Sequence, residues 1–164
     1  MKTSLLPCLL PCLLLPLSAT LVAAQKTGTP ATPTPVVPQV PKGTAMVKHV
    51  TAPEAARNLA EAAAAAAQAP EKAIAVIDVR TPAEFAEGHI KGARNVDIAS
   101  PDFRKNLAKL DPGKTYLVHC AAGGRSTRSL SVLSQLGFKS IIHLDGGLNS
   151  WKEAGLPLEK SPVK

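Results

Sequence analysis

Short apolar runs separated by amphipathic stretches recur along residues 45–158. The runs "AIAVIDV" (73–79) and "TYLVHC" (115–120) are almost continuously apolar and rich in aliphatic residues, which is typical of strands buried on both faces of a sheet. Further strands are predicted where apolar residues alternate or form shorter clusters, at 46–50, 93–98 and 139–144. The pattern therefore predicts five short strands.

Helices are predicted between these strands, and two of them begin with the same signal. Thr51 and Thr81 each stand three residues before a glutamate, with a proline in the first turn, which is the arrangement of a capping box. The alanine-rich helix after Thr51 is explained by the high helix propensity of alanine and suggests no chemistry. The predicted helices cover 54–69, 82–87, 101–110, 125–137 and a segment around Trp151.

Strands and helices alternate with short loops, which predicts an α/β domain with a mainly parallel sheet between helices. Ligands of such open sheets bind beyond the carboxyl ends of the strands. Cys120 closes the predicted strand 115–120, and a helix follows within five residues. This cysteine therefore lies where a functional site is expected.

The first 24 residues have the order of a secretory signal: Lys2, a leucine-rich stretch, and small residues that end at Ala24. An uncleaved membrane anchor is the alternative, but prolines interrupt the apolar run, and a spanning helix needs about 20 apolar residues. We predict cleavage before Gln25 and an exported protein, periplasmic or secreted, with no stable membrane span after cleavage. Residues 25–44 are dense in Pro and Thr and predict an extended linker, followed by a domain at 45–158 and a tail at 159–164.

Cleavage would remove Cys8 and Cys12 and leave Cys120 as the single cysteine of the mature chain. A lone thiol in an oxidising compartment is either reactive or paired between molecules. The alternative is a buried cysteine that acts as a small hydrophobic residue. Composition does not choose between these interpretations.

The formal net charge is +7, but the basic residues are scattered and no aromatic residues are interleaved with them. This distribution argues against nucleic-acid binding and favours a mild attraction for small anions. The four histidines have no metal-ligand spacing in the sequence, so we predict no metal ion and no cofactor.

The residues after Cys120 form a loop suited to an anion. The alanines and glycines of 121–124 leave successive backbone N–H groups unobstructed, and the following helix adds the positive end of its dipole. A thiol in such a field loses its proton readily, and Arg125 adds a fixed charge with a bidentate fork. His119 precedes the thiol in a strand, so we expect its side chain on the opposite face, in the core.

Three segments resemble a single-domain rhodanese: "VIDVRTPAEFAEGHIKGARNVDI", "CAAGGRS" and "GFKSIIHLDGGLNSWKEAGLP". The resemblance covers about residues 47–157 and implies a three-layer α/β domain with a five-stranded, mainly parallel sheet between helices. It further implies a sulfurtransferase in which Cys120 carries sulfur as a persulfide. The sulfane sulfur would come from thiosulfate or from a persulfide or polysulfide, and it would pass to cyanide, a thiol or a sulfur-accepting protein.

The resemblance also assigns site residues. Asp78 and Arg80 are expected to support the site, Glu84 is interpreted as a helix cap, and Trp151 as a core residue. The groups expected to hold the anionic donor belong to the loop residues Ala121, Ala122, Gly123, Gly124, Arg125 and Ser126.

Two alternatives to a sulfurtransferase that turns over many times stay open. One is a sulfur carrier or thiol-sensing module, which would hand its persulfide to one partner. The other is a phosphatase or arsenate reductase, which places the arginine six residues after the cysteine on the same fold. Arg125 is five residues after Cys120, and this shorter loop favours sulfur over phosphate.

Overall fold

A computed structural model describes residues 45–160, in which strands and helices alternate. The strands are β1 (Met46–Val50), β2 (Ile74–Asp78), β3 (Arg94–Asn95), β4 (Thr115–His119) and β5 (Ser140–Leu144). The helices are α1 (Ala52–Ala66), α2 (Pro82–Glu87), α3 (Phe103–Leu107), α4 (Gly124–Gln135) and α5 (Gly147–Glu153), with a short 3₁₀ turn at Pro70–Lys72.

The five strands form one sheet in the order β1-β5-β4-β2-β3, and every neighbouring pair is parallel. The predicted α/β fold with a five-stranded parallel sheet is confirmed. In this order β4 lies at the centre of the sheet, between β5 and β2. The carboxyl end of β4, where Cys120 follows, is therefore surrounded by the ends of other strands.

Both faces of the sheet are packed. Ile77 and Val118 pack with Leu133 of α4 on one face, whereas Val76 and Leu117 pack on the other. Neighbouring residues of a strand point to opposite faces, so an almost continuous apolar run covers both sides. The second face also buries Trp151, whose indole N–H donates to the Pro157 carbonyl at 3.0 Å, in agreement with its interpretation as a core residue.

Two elements are shorter than predicted. The strand expected at 93–98 has only two residues, Arg94–Asn95. Beyond Asn95 the Val96 amide donates to the Asp78 carbonyl at 2.9 Å and the Ile98 amide to the Val79 carbonyl at 3.2 Å, but these bonds lie outside the regular pairing of β2 with β3. The Asn95 side-chain amide adds bonds to the carbonyls of Asp78 (3.1 Å) and Arg80 (2.7 Å). The helix expected at 101–110 is limited to five residues, Phe103–Leu107. Tight turns flank it, with the amide of Phe103 bonded to the Ser100 carbonyl and that of Leu110 to the Leu107 carbonyl.

The predicted signal peptide (1–24) and linker (25–44) lie outside the described residues, as does most of the predicted tail. Within 45–160, no helix has the length and apolar character needed to cross a membrane. At the C-terminal end, the backbone of Glu159 exchanges two hydrogen bonds of 2.8 Å with that of His89. Contacts of the domain therefore continue one residue past the boundary predicted at 158.

Candidate active site

Cys120 lies at the carboxyl edge of the sheet, directly after β4, and begins a loop (residues 120–126) that runs into the first turn of α4. The backbone amide of Gly123 donates to Cys120 Sγ at 3.1 Å. The carbonyl of Cys120 faces the other way and accepts the amide of Leu148 at 2.8 Å, while that of Ala121 accepts the amide of Asn149 at 2.9 Å. Helix α5 thus holds the loop's carbonyls, and loop amides remain directed at the sulfur.

Hydrogen bonds lower the pKa of the Cys120 thiol. Burial raises the pKa, since the residue is 1% exposed, but donors surround the sulfur and outweigh this effect. They are the hydroxyl of Ser126, with Oγ 3.6 Å from Sγ, and the backbone amides of Ser126, Ala122 and Gly123. The net pKa lies below its usual value, which increases the fraction of the nucleophilic thiolate relative to an ordinary cysteine.

Ser126 connects the thiol to a buried histidine that sequence reasoning did not single out. Its Oγ lies 2.8 Å from the Gly123 carbonyl and 2.9 Å from His143 Nε2. On the other side of the ring, His143 Nδ1 lies 3.1 Å from Asp145 Oδ1 and 3.2 Å from His49 Nδ1. No local sequence signal marks this grouping, because His49 and His143 become neighbours only through the pairing of β1 with β5.

Arg125 forms an ion pair in this structure. Its guanidinium binds the carboxylate of Glu84 through two bonds of 2.6 and 2.8 Å. The bond from Arg125 lowers the pKa of Glu84 to about 2, and in turn the carboxylate raises the pKa of Arg125. We expected the fork of Arg125 to be available to an anion, but in this structure Glu84 occupies it.

Glu84 has two roles, of which the sequence showed one. As expected for a helix cap, its Oε2 accepts the Thr81 amide at 3.1 Å and the Thr81 hydroxyl at 2.9 Å. The same oxygen also accepts from Arg125, which lies 41 residues away in the sequence. The capping signal alone explains a glutamate at position 84, so the sequence did not indicate its second contact, with Arg125 in the loop of Cys120.

Asp78 and Arg80 form a buried ion pair at the end of β2. Arg80 Nε donates to the two Asp78 carboxylate oxygens at 3.0 and 2.9 Å, and the remaining nitrogens donate to the carbonyls of Glu84 (2.9 Å) and Gly88 (2.8 Å). These hydrogen bonds order the turn between β2 and α2. The pair was expected to support the site, and its connection to the loop of Cys120 is indirect, through Glu84 and through His119, whose Nε2 lies 3.8 Å from Asp78 Oδ2.

His119 points away from the thiol, as predicted. Its side chain is fully buried, with Nε2 3.8 Å from Asp78 Oδ2 and Nδ1 3.2 Å from the Cys120 carbonyl. Burial lowers the pKa of His119, which keeps the imidazole neutral. It is a core residue beneath the strand ends and does not contact the sulfur.

Comparisons with known proteins agree with this geometry. A family model described as "Rhodanese-like domain" matches residues 59–154, more than half of the chain. The protein slr1261 of Synechocystis sp. is 39% identical over 93 residues, 56% of this chain and 50% of the relative. The thiosulfate sulfurtransferase GlpE of Stutzerimonas stutzeri is 37% identical over 78 residues, which cover 47% of this chain and 69% of that protein.

Some relatives are longer than the matched region. The chain spans half of slr1261 and 21% of the probable adenylyltransferase/sulfurtransferase MoeZ of Mycobacterium tuberculosis, to which it is 34% identical. Among solved structures, a rhodanese-related protein from Thermoplasma volcanium superposes with a TM-score of 0.57 at 32% identity. That superposition covers 70% of this chain and 99% of the other, so the similarity extends over nearly all of the solved chain.

Proposed function

The chain belongs to the rhodanese-like family, and we propose that it is a sulfurtransferase that carries a sulfane sulfur on Cys120 as a persulfide. One observation supports this most directly: the sulfur of Cys120 is surrounded by hydrogen-bond donors that lower its pKa. Its relatives include sulfurtransferases, among them the thiosulfate sulfurtransferase GlpE. The same hydrogen-bond donors can stabilise the Cys120 thiolate and the anionic outer sulfur of its persulfide.

The first step is attack by the Cys120 thiolate on the outer sulfur of the donor. A new S–S bond forms to Cys120 as the donor's own S–S bond breaks, and the bonding pair leaves with sulfite if the donor is thiosulfate. A persulfide or polysulfide donor loses a thiolate in the same way. The thiolate is itself the nucleophile, and the lowered pKa of Cys120 increases the fraction of the thiol that is in this form.

In the second step the acceptor takes the outer sulfur. Cyanide or a thiolate attacks that atom, the Cys120 persulfide bond breaks, and its electron pair restores the Cys120 thiolate. Amides at the start of α4 have no intrahelical acceptor and can donate to the anionic outer sulfur in the intermediate. Both steps exchange one S–S bond for another bond to sulfur and need no external oxidant or reductant.

Recognition of a charged donor depends on Arg125, since Ala121 and Ala122 bring no charge to the loop. Glu84 holds the guanidinium, so an anionic donor has to compete with this carboxylate for the same fork. Glu84→Gln keeps the side-chain size and removes the competing charge. We expect it to lower the KM for thiosulfate, and a KM that stays the same or rises would contradict this competition.

A sulfur carrier that serves one protein partner is the second candidate, and the burial of Cys120, at 1% exposed, favours it. A carrier would form the persulfide once and release it slowly to small acceptors. An enzyme would turn over thiosulfate and cyanide many times. The two roles therefore share the first step and differ in the second.

The test is a thiosulfate:cyanide assay of the full chain together with intact mass spectrometry. We expect a mass increase of one sulfur atom after thiosulfate or a polysulfide, and repeated turnover with cyanide. Cys120→Ser should abolish both, whereas the Cys8→Ser/Cys12→Ser control should retain both. A stoichiometric adduct without turnover would select the carrier, and the absence of an adduct with any sulfane donor would overturn the proposal.

We further propose that the protein is exported and works in the periplasm or outside the cell. The order of residues 1–24 supports this, with a basic start, an apolar middle and small residues before Gln25. N-terminal sequencing of the exported protein should begin at Gln25. A chain that retains Lys2 would contradict cleavage.

A further inference from the structure

Three ligand atoms converge at the edge of the sheet formed by β1 and β5. His49 Nδ1 lies 2.9 Å from Asp145 Oδ1, His143 Nδ1 lies 3.1 Å from the same oxygen, and the two nitrogens are 3.2 Å apart. We propose that His49, His143 and Asp145 form a binding site for a divalent transition-metal ion of the zinc class. The site adjoins the loop of Cys120 through Ser126, but it does not include the thiol, and metal binding there does not require sulfur transfer.

Backbone pairing fixes the positions of these ligands. His49 and His143 are direct partners in the parallel pairing of β1 with β5, so their side chains leave the same face side by side. Asp145 lies two residues beyond His143, and its amide donates to the Val50 carbonyl at 2.9 Å, which continues that pairing. The grouping therefore rests on the sheet and not on a mobile loop.

The three atoms form one short triangle in which each atom faces the other two. Without a cation, Asp145 Oδ1 is within reach of an N–H from both imidazoles. A metal ion would instead accept a lone pair from each of the three atoms, with the ring proton of each neutral histidine on Nε2.

The second nitrogen of His143 is held as in metal-binding histidines. Its Nε2 lies 2.9 Å from Ser126 Oγ, which fixes the orientation of the ring and leaves Nδ1 for the cluster. Metal-ligating histidines commonly have the other ring nitrogen bonded to such a group. His143 is buried at 3% exposed, so the ring has no freedom to turn its ligand atom to solvent.

The distances suit zinc. Bonds of about 2.0–2.1 Å in a tetrahedral site place neighbouring ligand atoms about 3.3 Å apart. The observed edges of 2.9, 3.1 and 3.2 Å need only a small widening. The side chains of His49 and Asp145 are each 54% exposed, which leaves a fourth position open to water. Two nitrogen ligands favour zinc, copper or nickel over magnesium and calcium, which prefer oxygen.

The test measures metal binding by the untagged full chain in a background with Cys8, Cys12 and Cys120 changed to Ser, so that no thiol contributes. Zinc affinity is measured by competition with a chromophoric chelator, and Co²⁺ serves as a spectroscopic probe of the ligand field. We expect one ion per chain and a tetrahedral or five-coordinate cobalt spectrum. His49→Ala and Asp145→Asn should each weaken zinc binding by about tenfold or more.

Met46→Ala is the matched control, because Met46 is an exposed residue of the same strand and should leave zinc affinity unchanged. Circular dichroism of each variant checks that the fold is intact. Zinc affinity that is equal in the background, His49→Ala and Asp145→Asn proteins would overturn the proposal, as would a preference for Mg²⁺. The thiol-free background cannot form a persulfide, so this result is independent of the outcome for sulfur transfer.

Discussion

Two strand-to-helix turns lie next to each other at the carboxyl edge of the sheet, and they differ in how the start of the following helix is capped. The turn from β2 to α2 caps itself: Thr81 Oγ1 accepts the Glu84 amide at 3.3 Å, and Glu84 accepts the Thr81 amide in return. The turn from β4 to α4 has Gly123 at the capping position, with φ of 94° and no side-chain cap.

The turn between β2 and α2 stabilises the fold and is called the supporting turn below. The turn between β4 and α4 holds Cys120 and is called the reactive turn. A capping box satisfies two of the amides at the start of a helix with the protein's own oxygen atoms, so fewer donors remain for a ligand. The glycine cap of α4 leaves its amides free to face Cys120 Sγ and whatever that sulfur carries. The Glu84–Arg125 ion pair then links the two turns.

The largest expected effect is on the supporting turn. Asp78→Asn removes one charge of the buried pair and leaves the Arg80 guanidinium buried without a carboxylate, which typically costs about 3–5 kcal/mol. Urea unfolding should show this loss. The control Asp102→Asn changes an exposed aspartate and should stay within about 0.5 kcal/mol of the wild type. A loss below about 1 kcal/mol in Asp78→Asn would show that the pair is dispensable.

The next effect is on the reactive turn. Gly147 has φ of 60°, and a Cβ there would come within 2.5 Å of the Cys120 carbonyl and 2.7 Å of the Ala121 carbonyl. Gly147→Ala should displace the loop, cost on the order of 1–3 kcal/mol, and slow persulfide formation from thiosulfate. Both urea unfolding and timed intact mass measure this.

Gly155→Ala is its matched control. Gly155 follows α5 with φ of 67°, and an added Cβ there meets no atom of the described residues within 4 Å. Its stability should fall by about 1 kcal/mol through the backbone conformation alone, with persulfide formation unchanged. If Gly147→Ala and Gly155→Ala formed the persulfide at the same rate, the close approach of α5 to the loop would have no functional consequence.

Local signals in the sequence predicted much of this edge. The apolar runs at 73–79 and 115–120 predicted the two central strands, and the capping boxes at Thr51 and Thr81 marked the starts of α1 and α2. Such signals depend only on neighbouring residues. The position of Cys120 beyond a strand followed from the same local pattern and from the parallel topology it implies.

The contacts that the sequence did not show are those between distant residues. Glu84 and Arg125 are 41 residues apart, and His49 and His143 are 94 apart. Both pairs depend on which strands become neighbours, and no local sequence pattern predicts the order β1-β5-β4-β2-β3. The position of β3 has the same origin, because its pairing with β2 and the bonds of the Asn95 side chain join residues 15 to 17 positions apart.

A smaller effect tests the donors of the reactive turn directly. Ser126→Ala removes a hydroxyl that lowers the pKa of Cys120, so the pH profile of thiol alkylation should move to higher pH. Stability should fall by about 1 kcal/mol through the lost hydrogen bonds. Ser129→Ala is the control, because its buried hydroxyl donates to the Ser126 carbonyl and not to the sulfur. Superimposable alkylation profiles for the two variants would exclude a role of Ser126 in setting the thiol pKa.

The smallest expected effect concerns the bridge between the turns. The folded-state pKa of Glu84 is lowered to about 2 from its ordinary value of 4.5, chiefly by the hydrogen bond from Arg125. A lowered pKa stabilises the fold above the unfolded value, and this contribution is lost as pH falls from about 4.5 to about 2. The carboxylate is one-third exposed, so screening limits the contribution to about 1 kcal/mol or less.

Comparison of Glu84→Gln with Glu54→Gln isolates that bridge, because both glutamates complete a capping box but only Glu84 binds an arginine at short distance. Urea unfolding across the acidic range should show a reduced pH dependence in both variants, with the larger reduction in Glu84→Gln. Equal reductions would mean that the cap alone accounts for the acid dependence. The Arg125 contact would then add no stability, and the two turns would be energetically independent.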